Sequence, residues 1–197
     1  MKYREIAGEK ISVLGFGCMR FPTTSKNAED IDAEKSAKML EYAIENGVNY
    51  FDTAYVYHGG KGESFIGGVL KPYRDKIHIA TKCPTWEVKC EEDFDRLLNE
   101  QLERLQTDYI DFYLMHALDK DRFENVVEKF NLIDKLNKAK ADGKIRHIGF
   151  SFHDDVETLK KIIDANPNWE FCQIQLNYIN VKYQAGLEGL EYAHKKG

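Results

Sequence analysis

The chain has no Cys-x-x-Cys among its four cysteines, Cys18, Cys83, Cys90 and Cys172. That excludes a zinc ribbon and a complete iron–sulfur motif. Cysteines spaced this widely fit free thiols in a reducing compartment, so a cytoplasmic location is expected. No apolar run approaches the ~18 residues of a membrane span. Met1-Lys2-Tyr3-Arg4-Glu5 lacks the apolar core of a signal peptide, and no membrane partner is expected. Positive charge is not in excess. The 28 Lys and Arg stand against 33 Asp and Glu, a net charge of -5, which leaves no basic footprint for nucleic acid. Neither His-x-His nor His-Glu-x-x-His occurs, which argues against a metal-dependent hydrolase; no metal is expected.

A dinucleotide fingerprint is missing too. Gly15-Phe16-Gly17 continues as Cys18-Met19-Arg20, without the third glycine that an open dinucleotide-binding sheet usually shows after its first strand.

What the chain does have is alternation. Lys2 to Ser12 alternates around Gly8-Glu9 and reads as a hairpin. Val13 to Gly17 reads as a first strand. A helix over 32–46 places Ala33, Ala37, Leu40 and Ile44 on one face and stops at Gly47. Strands then read at 48–51, 77–81, 109–115, 145–150 and 171–176. Helices read at 62–70, 91–105, 123–141, from Asp154 or Asp155 to Asp164, and 183–196. The stretch 123–141 is expected to be the longest, with Phe123, Val126, Val127, Phe130, Ile133 and Leu136 inward. Repeated strand–helix units imply a parallel sheet covered by helices. The polar residues at the C-terminal ends of successive strands favour a (β/α)8 TIM barrel over a doubly wound sheet, which gathers its site at one switch point. A barrel needs eight units and usually ~250 residues. The expectation is therefore a single domain over 1–197, a barrel truncated after about six units. Its open side would expose strand edges and apolar faces that invite self-association.

Three strands end in groups that no core requires. One ends in Asp52, with Tyr57 five residues on; the next ends in Lys82, and the next in His116. A phenol has a free pKa of about 10, too high to release a proton readily at neutral pH. A nearby ammonium favours the phenolate. Lys82 can supply that ammonium, Asp52 can hold it, and His116 can place a carbonyl oxygen beside Tyr57. Such a set is a general acid for carbonyl reduction. Hydride has to come from a nicotinamide cofactor, because side chains do not carry it.

The arrangement resembles the aldo-keto reductases. The matching segments run in family order: Asp52-Thr53-Ala54-x-x-Tyr57, Thr81-Lys82, Asp108 to His116, Gly143 to Ser151, and Gln173-Ile174-Gln175. The resemblance implies a (β/α)8 barrel that reduces an aldehyde or ketone with NADP(H), or less often NAD(H). It implies Tyr57 as acid, Lys82 and Asp52 as its tuning pair, and His116 as orienter of the substrate. Ser151 and Gln173 match positions that hold the nicotinamide carboxamide, and Met19 and Asp52 match positions beside the cofactor. The family usually has Asn after the serine, where this chain has Phe152-His153. Tyr57-His58-Gly59-Gly60 and Gln175-Leu176-Asn177-Tyr178 resemble the branch that often carries a C-terminal ferredoxin-like segment. None of that segment is present in these residues, so no iron–sulfur cluster is expected in them. His58 and Trp86 are read as substrate contacts. The competing reading is a non-catalytic nicotinamide-binding regulatory subunit, or an inactive fragment.

Overall fold

The structure, a computed structural model, describes residues 1–197. The chain opens on a hairpin of β1 (Tyr3–Ile6) and β2 (Glu9–Ser12). Its turn residues Ala7 and Gly8 both have positive φ, 52° and 83°, the backbone that a tight two-residue hairpin turn requires.

Six strands follow: β3 (Phe16–Gly17), β4 (Tyr50–Asp52), β5 (His78–Cys83), β6 (Ile110–Leu118), β7 (Ile145–Phe152) and β8 (Phe171–Ile174). All pair in parallel, and their order in the sheet is their order in the sequence. No strand order reverses, so no switch point exists. The fold is a partial (β/α) barrel, not a doubly wound sheet. The connections carry α1 (Ala33–Glu45), α2 (Gly62–Leu70), α3 (Glu91–Leu105), the one-turn α4 (Lys120–Arg122), α5 (Leu132–Ala141), α6 (Val156–Ala165) and α7 (Gly186–Lys195). Asp32 and Asp155 cap α1 and α6 by accepting hydrogen bonds from the backbone N–H of Lys35 and Thr158. No helix is long and apolar enough to cross a membrane.

Two cores result. The larger lies between sheet and helices and includes Phe51, Phe94, Leu97, Leu98, Phe150 and Ile162. The smaller lies inside the curl, where Ile11, Ala80, Phe112 and Leu114 are buried against Tyr50 and Phe171. The Phe112 ring meets Tyr50 edge-on at 5.3 Å and Phe171 at 5.1 Å. Rings from β4, β6 and β8 thus converge, which only a curled sheet permits. Ile11, from the hairpin, closes this inner core. Both sheet edges lack a strand partner, and Val13, Leu14, Tyr178, Ile179, Leu187 and Leu190 are exposed.

Three readings of the sequence need correction. Only Phe16 and Gly17 of the first strand pair; the Val13 N–H turns back to the carbonyl of Lys2 at 2.9 Å and prolongs the hairpin instead. In α1 the buried face is Ser36, Leu40 and Ala43, and Ala33 is exposed. The helix expected over 123–141 is broken. Phe123–Glu128 winds as a wider π turn, Asn131 adopts a left-handed φ of 51°, and α5 restarts after it. The longest helix is α3, with 15 residues.

Helices α2 and α3 touch through Gly67. A Cβ there would lie 2.6 Å from the Arg104 carbonyl oxygen and 2.7 Å from Leu105, whereas one at Gly68 would have its nearest neighbour, Gln106 Nε2, at 3.7 Å. Gly67→Ala should therefore destabilise the fold by about 1–3 kcal/mol. Gly68→Ala should be neutral or stabilise it by up to about 1 kcal/mol. Urea denaturation of the two variants checks this; equal effects would mean that the helices are not in close contact.

Candidate functional site

The C-terminal ends of the strands surround a cleft of about 180 Å³ lined by Tyr57, Lys82, His116, Ser151, His153, Gln173, Ile174 and Gln175. These side chains arrive from the ends of β4 to β8 or from the loops that follow them. Another groove, about 400 Å³ and mostly apolar, lies away from this chemistry between α1 and the segment around β3, lined by Leu14, Phe16, Met39 and Tyr42.

Lys82 is near the end of β5 and almost fully buried. Its Nζ donates to Asp52 Oδ1 at 2.7 Å and to the Thr53 carbonyl at 2.6 Å. A buried ammonium requires such partners. The same Nζ lies 5.2 Å from the centroid of the Tyr57 ring, within cation–π range. The charge faces the ring, and its hydrogen bonds go to Asp52 and Thr53 rather than to the phenol. Asp52 Oδ2 is buried without a partner. Burial pushes the Asp52 carboxyl above its ordinary range, while the Lys82 charge and hydrogen bond pull it down.

His116 sits where β6 departs from regular pairing. The register with β7 shifts between Met115 and Leu118, and Ala117 has φ 53°. Such a bulge re-aims a side chain at a sheet rim. Two side chains hold it: the Ala117 N–H donates to Ser151 Oγ at 2.7 Å, and Arg122 donates to the Ala117 carbonyl at 2.9 Å. The His116 ring meets Tyr57 edge-on with centroids 6.2 Å apart and lies 5.0 Å from Trp86. Burial, aided by the Lys82 charge, lowers the His116 pKa to about 3. The imidazole is therefore neutral near pH 7, and its Nδ1 has no protein partner.

The residues read as site members divide. Asp52, Tyr57, Lys82 and His116 come together, with Trp86 half-buried against His116. Ser151 and Gln173 line the same cleft. Met19 does not: it is half exposed in the segment after β3 and forms no part of the lining. His58 is not among the lining residues either. Its Nε2 accepts from the Phe21 N–H at 3.3 Å, and its Nδ1 donates to the Ala28 carbonyl at 2.6 Å. Both nitrogens are occupied by backbone, which fixes the neutral tautomer with the proton on Nδ1. The ring also stacks on Phe21 at 5.5 Å. His58 is buried and pins the loop over 21–28, with both ring nitrogens engaged by backbone rather than open to the cleft. Gln175 is a lining residue that the sequence reading did not single out. Its Oε1 is buried and unpartnered. The period of two in Gln173-Ile174-Gln175 was the available signal.

The neutral state of His116 has a consequence for stability. The folded chain resists protonating it, whereas the unfolded chain takes up the proton near pH 6.5. This contribution is complete above pH 6.5 and is lost as pH falls toward 3, at up to about 1.4 kcal/mol per pH unit. The unfolding free energy of the wild type should fall relative to that of His116→Gln as pH drops from 6.5 toward 3, because only the wild type carries a group that resists the proton. Parallel curves would show that the histidine is not held neutral.

Comparison with known proteins agrees with this architecture. The model of the aldo/keto reductase family matches residues 13–197. Over 153 residues the chain is 32% identical to the probable aldo-keto reductase 1 of Glycine max, covering 73% of this chain and 42% of that one. The thermostable aldo-keto reductase Tm1743, solved with the inhibitor epalrestat, superimposes with a TM-score of 0.81 at 29% identity, covering 100% of this chain and 70% of that one. An aldo/keto reductase from Klebsiella pneumoniae, solved in complex with NADP and acetate, gives a TM-score of 0.67 at 25% identity, covering 86% and 55%. The chain spans about half the length of the curated relatives it matches. From the family match and the sequential parallel strands that carry this cleft, the chain belongs to the aldo/keto reductase family.

Proposed function

We propose that the cleft is the proton-donating centre of a reductase that converts an aldehyde or ketone to an alcohol with NADPH or NADH. The observation that carries this reading is the Lys82 ammonium, held by Asp52 and Thr53 and facing the Tyr57 ring, with a neutral His116 beside them. In this reading the Tyr57 hydroxyl gives its proton to the carbonyl oxygen as that oxygen gains charge. The phenolate left behind is stabilised by the positive charge of Lys82. Asp52 keeps Lys82 oriented. Burial and the Lys82 charge lower the His116 pKa to about 3, so the imidazole is neutral at pH 7. It therefore acts as a neutral hydrogen-bond donor that positions the carbonyl, and the phenol is the acid.

The nicotinamide would supply the hydride. A carboxamide needs a donor for its oxygen and acceptors for its amide hydrogens. Ser151 Oγ accepts from Ala117 and keeps its own hydroxyl hydrogen to donate, Gln175 offers an unpartnered Oε1, and Gln173 is exposed at the same cleft. These residues fit the group. Phe152 cannot add an amide contact, because its side chain has no donor or acceptor, and it is buried in the outer core. Gln175 is proposed to compensate. The NADP complex of the Klebsiella relative supports the choice of cofactor class.

Tyr57→Phe in the intact protein should lower carbonyl reduction by about 10²–10⁴-fold, the usual worth of a general acid, and leave NADPH binding, followed by fluorescence titration, within about twofold. A wild-type rate from this variant would sink the assignment. Lys82→Met should lower kcat and also change its pH dependence, since it removes the charge beside the phenol. A lower rate with an unchanged pH profile would give Lys82 another role.

A further inference from the structure

We propose that Glu63, a carboxylate outside the cleft, is a positioning residue that sets Lys82 and the Tyr57 segment relative to one another. The proposal rests on the reading of Lys82 and Tyr57 given above. Glu63 lies in the first turn of α2 and is fully buried. Its Oε1 accepts from the Thr81 hydroxyl and from Gln101 Nε2, both at 2.6 Å. Its Oε2 faces Arg104 at 3.4 Å.

These three partners lead to the site. Thr81 immediately precedes Lys82. Gln101 Nε2 also donates to the Lys82 carbonyl at 3.1 Å, and Gln101 Oε1 accepts from the Tyr113 hydroxyl at 2.7 Å. The acceptors around Nε2 and the hydroxyl at Oε1 fix which way the amide points. Arg104 donates to the Tyr55 carbonyl at 3.4 Å and covers the Tyr55 ring at 4.0 Å. The start of α2 presses on the same loop, since a Cβ on Gly62 would meet the Tyr57 carbonyl at 3.0 Å. One carboxylate is thus a single side chain away from the backbone of Lys82 on β5 and from the loop that carries Tyr57.

Stability alone does not account for it. A buried carboxylate has a desolvation cost, and a well-packed apolar side chain of similar volume is often neutral or stabilising. What an apolar residue cannot do is fix Thr81, Gln101 and Arg104 in one arrangement. Displacements of about 1 Å near a reacting group can cost roughly 100-fold in rate.

The test compares Glu63→Leu with Glu63→Gln, which keeps an acceptor oxygen for Thr81 and Gln101. Gln101→Met, which cuts the link to the Lys82 carbonyl, serves if Glu63→Leu does not fold. Three readouts are taken in the intact protein: kcat, the NADPH dissociation constant, and the pH titration of the Lys82 Cε resonance in protein labelled with ¹³C-lysine, assigned by its loss in Lys82→Met. Glu63→Leu, or Gln101→Met in its place, should lower kcat by about 10–100-fold, leave NADPH binding within about twofold, and displace the Lys82 titration curve. Glu63→Gln should restore both kcat and the curve to near wild type. A folded Glu63→Leu or Gln101→Met protein with an unchanged Lys82 curve overturns the proposal. So does a Glu63→Gln variant as impaired as Glu63→Leu. If instead the curve moves as expected while Tyr57→Phe retains full activity, the positioning role stands and the catalytic reading fails.

Discussion

An ammonium buried in protein has to be paired, and much of this structure is arranged to pair the one on Lys82. Its two direct partners both come from the end of β4, Asp52 as a charge and Thr53 as a carbonyl dipole. Their position depends on the parallel register that sets Asp52 opposite Ala80, two residues before Lys82. The arrangement leaves one face of the charge toward the Tyr57 ring. It also depresses the basicity of His116, which burial has already lowered. One buried positive charge therefore sets the electrostatic conditions for its neighbours, and the surrounding sheet supplies the geometry that makes its burial tolerable.

The division between the two faces of the sheet follows from this. The outer core is apolar and continuous, with Phe94, Leu97 and Leu98 of α3 set against the strands. Polar side chains are admitted at the strand ends and in the thin layer between α2, α3 and β5, where Glu63, Thr81 and Gln101 satisfy each other. At the opposite end of β6, Asp111 takes Arg74 at 2.6 Å and Arg146 at 3.3 Å, and both guanidinium groups cover the Tyr109 ring. That cluster lies at the N-terminal end of its strand, where a barrel invests in stability rather than chemistry.

Much of this was legible because the signals are local. The stripe of Phe94, Leu97, Leu98 and Leu105 marks α3 with its observed limits. Asp52, Lys82 and His116 stand out because polar residues at strand ends contrast with the apolar residues before them. What could not be read is what depends on distant partners. The apolar spacing over 123–141 continues as if one helix ran through it, and nothing in that periodicity reveals the left-handed Asn131 that divides it. His58 resembles a site histidine because it follows Tyr57, yet its partners lie at positions 21 and 28. Glu63 reads as an ordinary first-turn acid on a short helix. Only the approach of α3, permitted by Gly67, turns it into a buried one.

The left-handed Ala117 bears on how such a protein changes under selection. An alanine at φ 53° carries a conformational cost of about 1–2 kcal/mol, which glycine would not. A population selected only for thermal resistance would thus find glycine at this position rewarding. The gain would come with a more pliable chain next to His116, held then by Ser151 and Arg122 alone. Retention of alanine at 117 through such a selection would be a sign that activity was being selected at the same time.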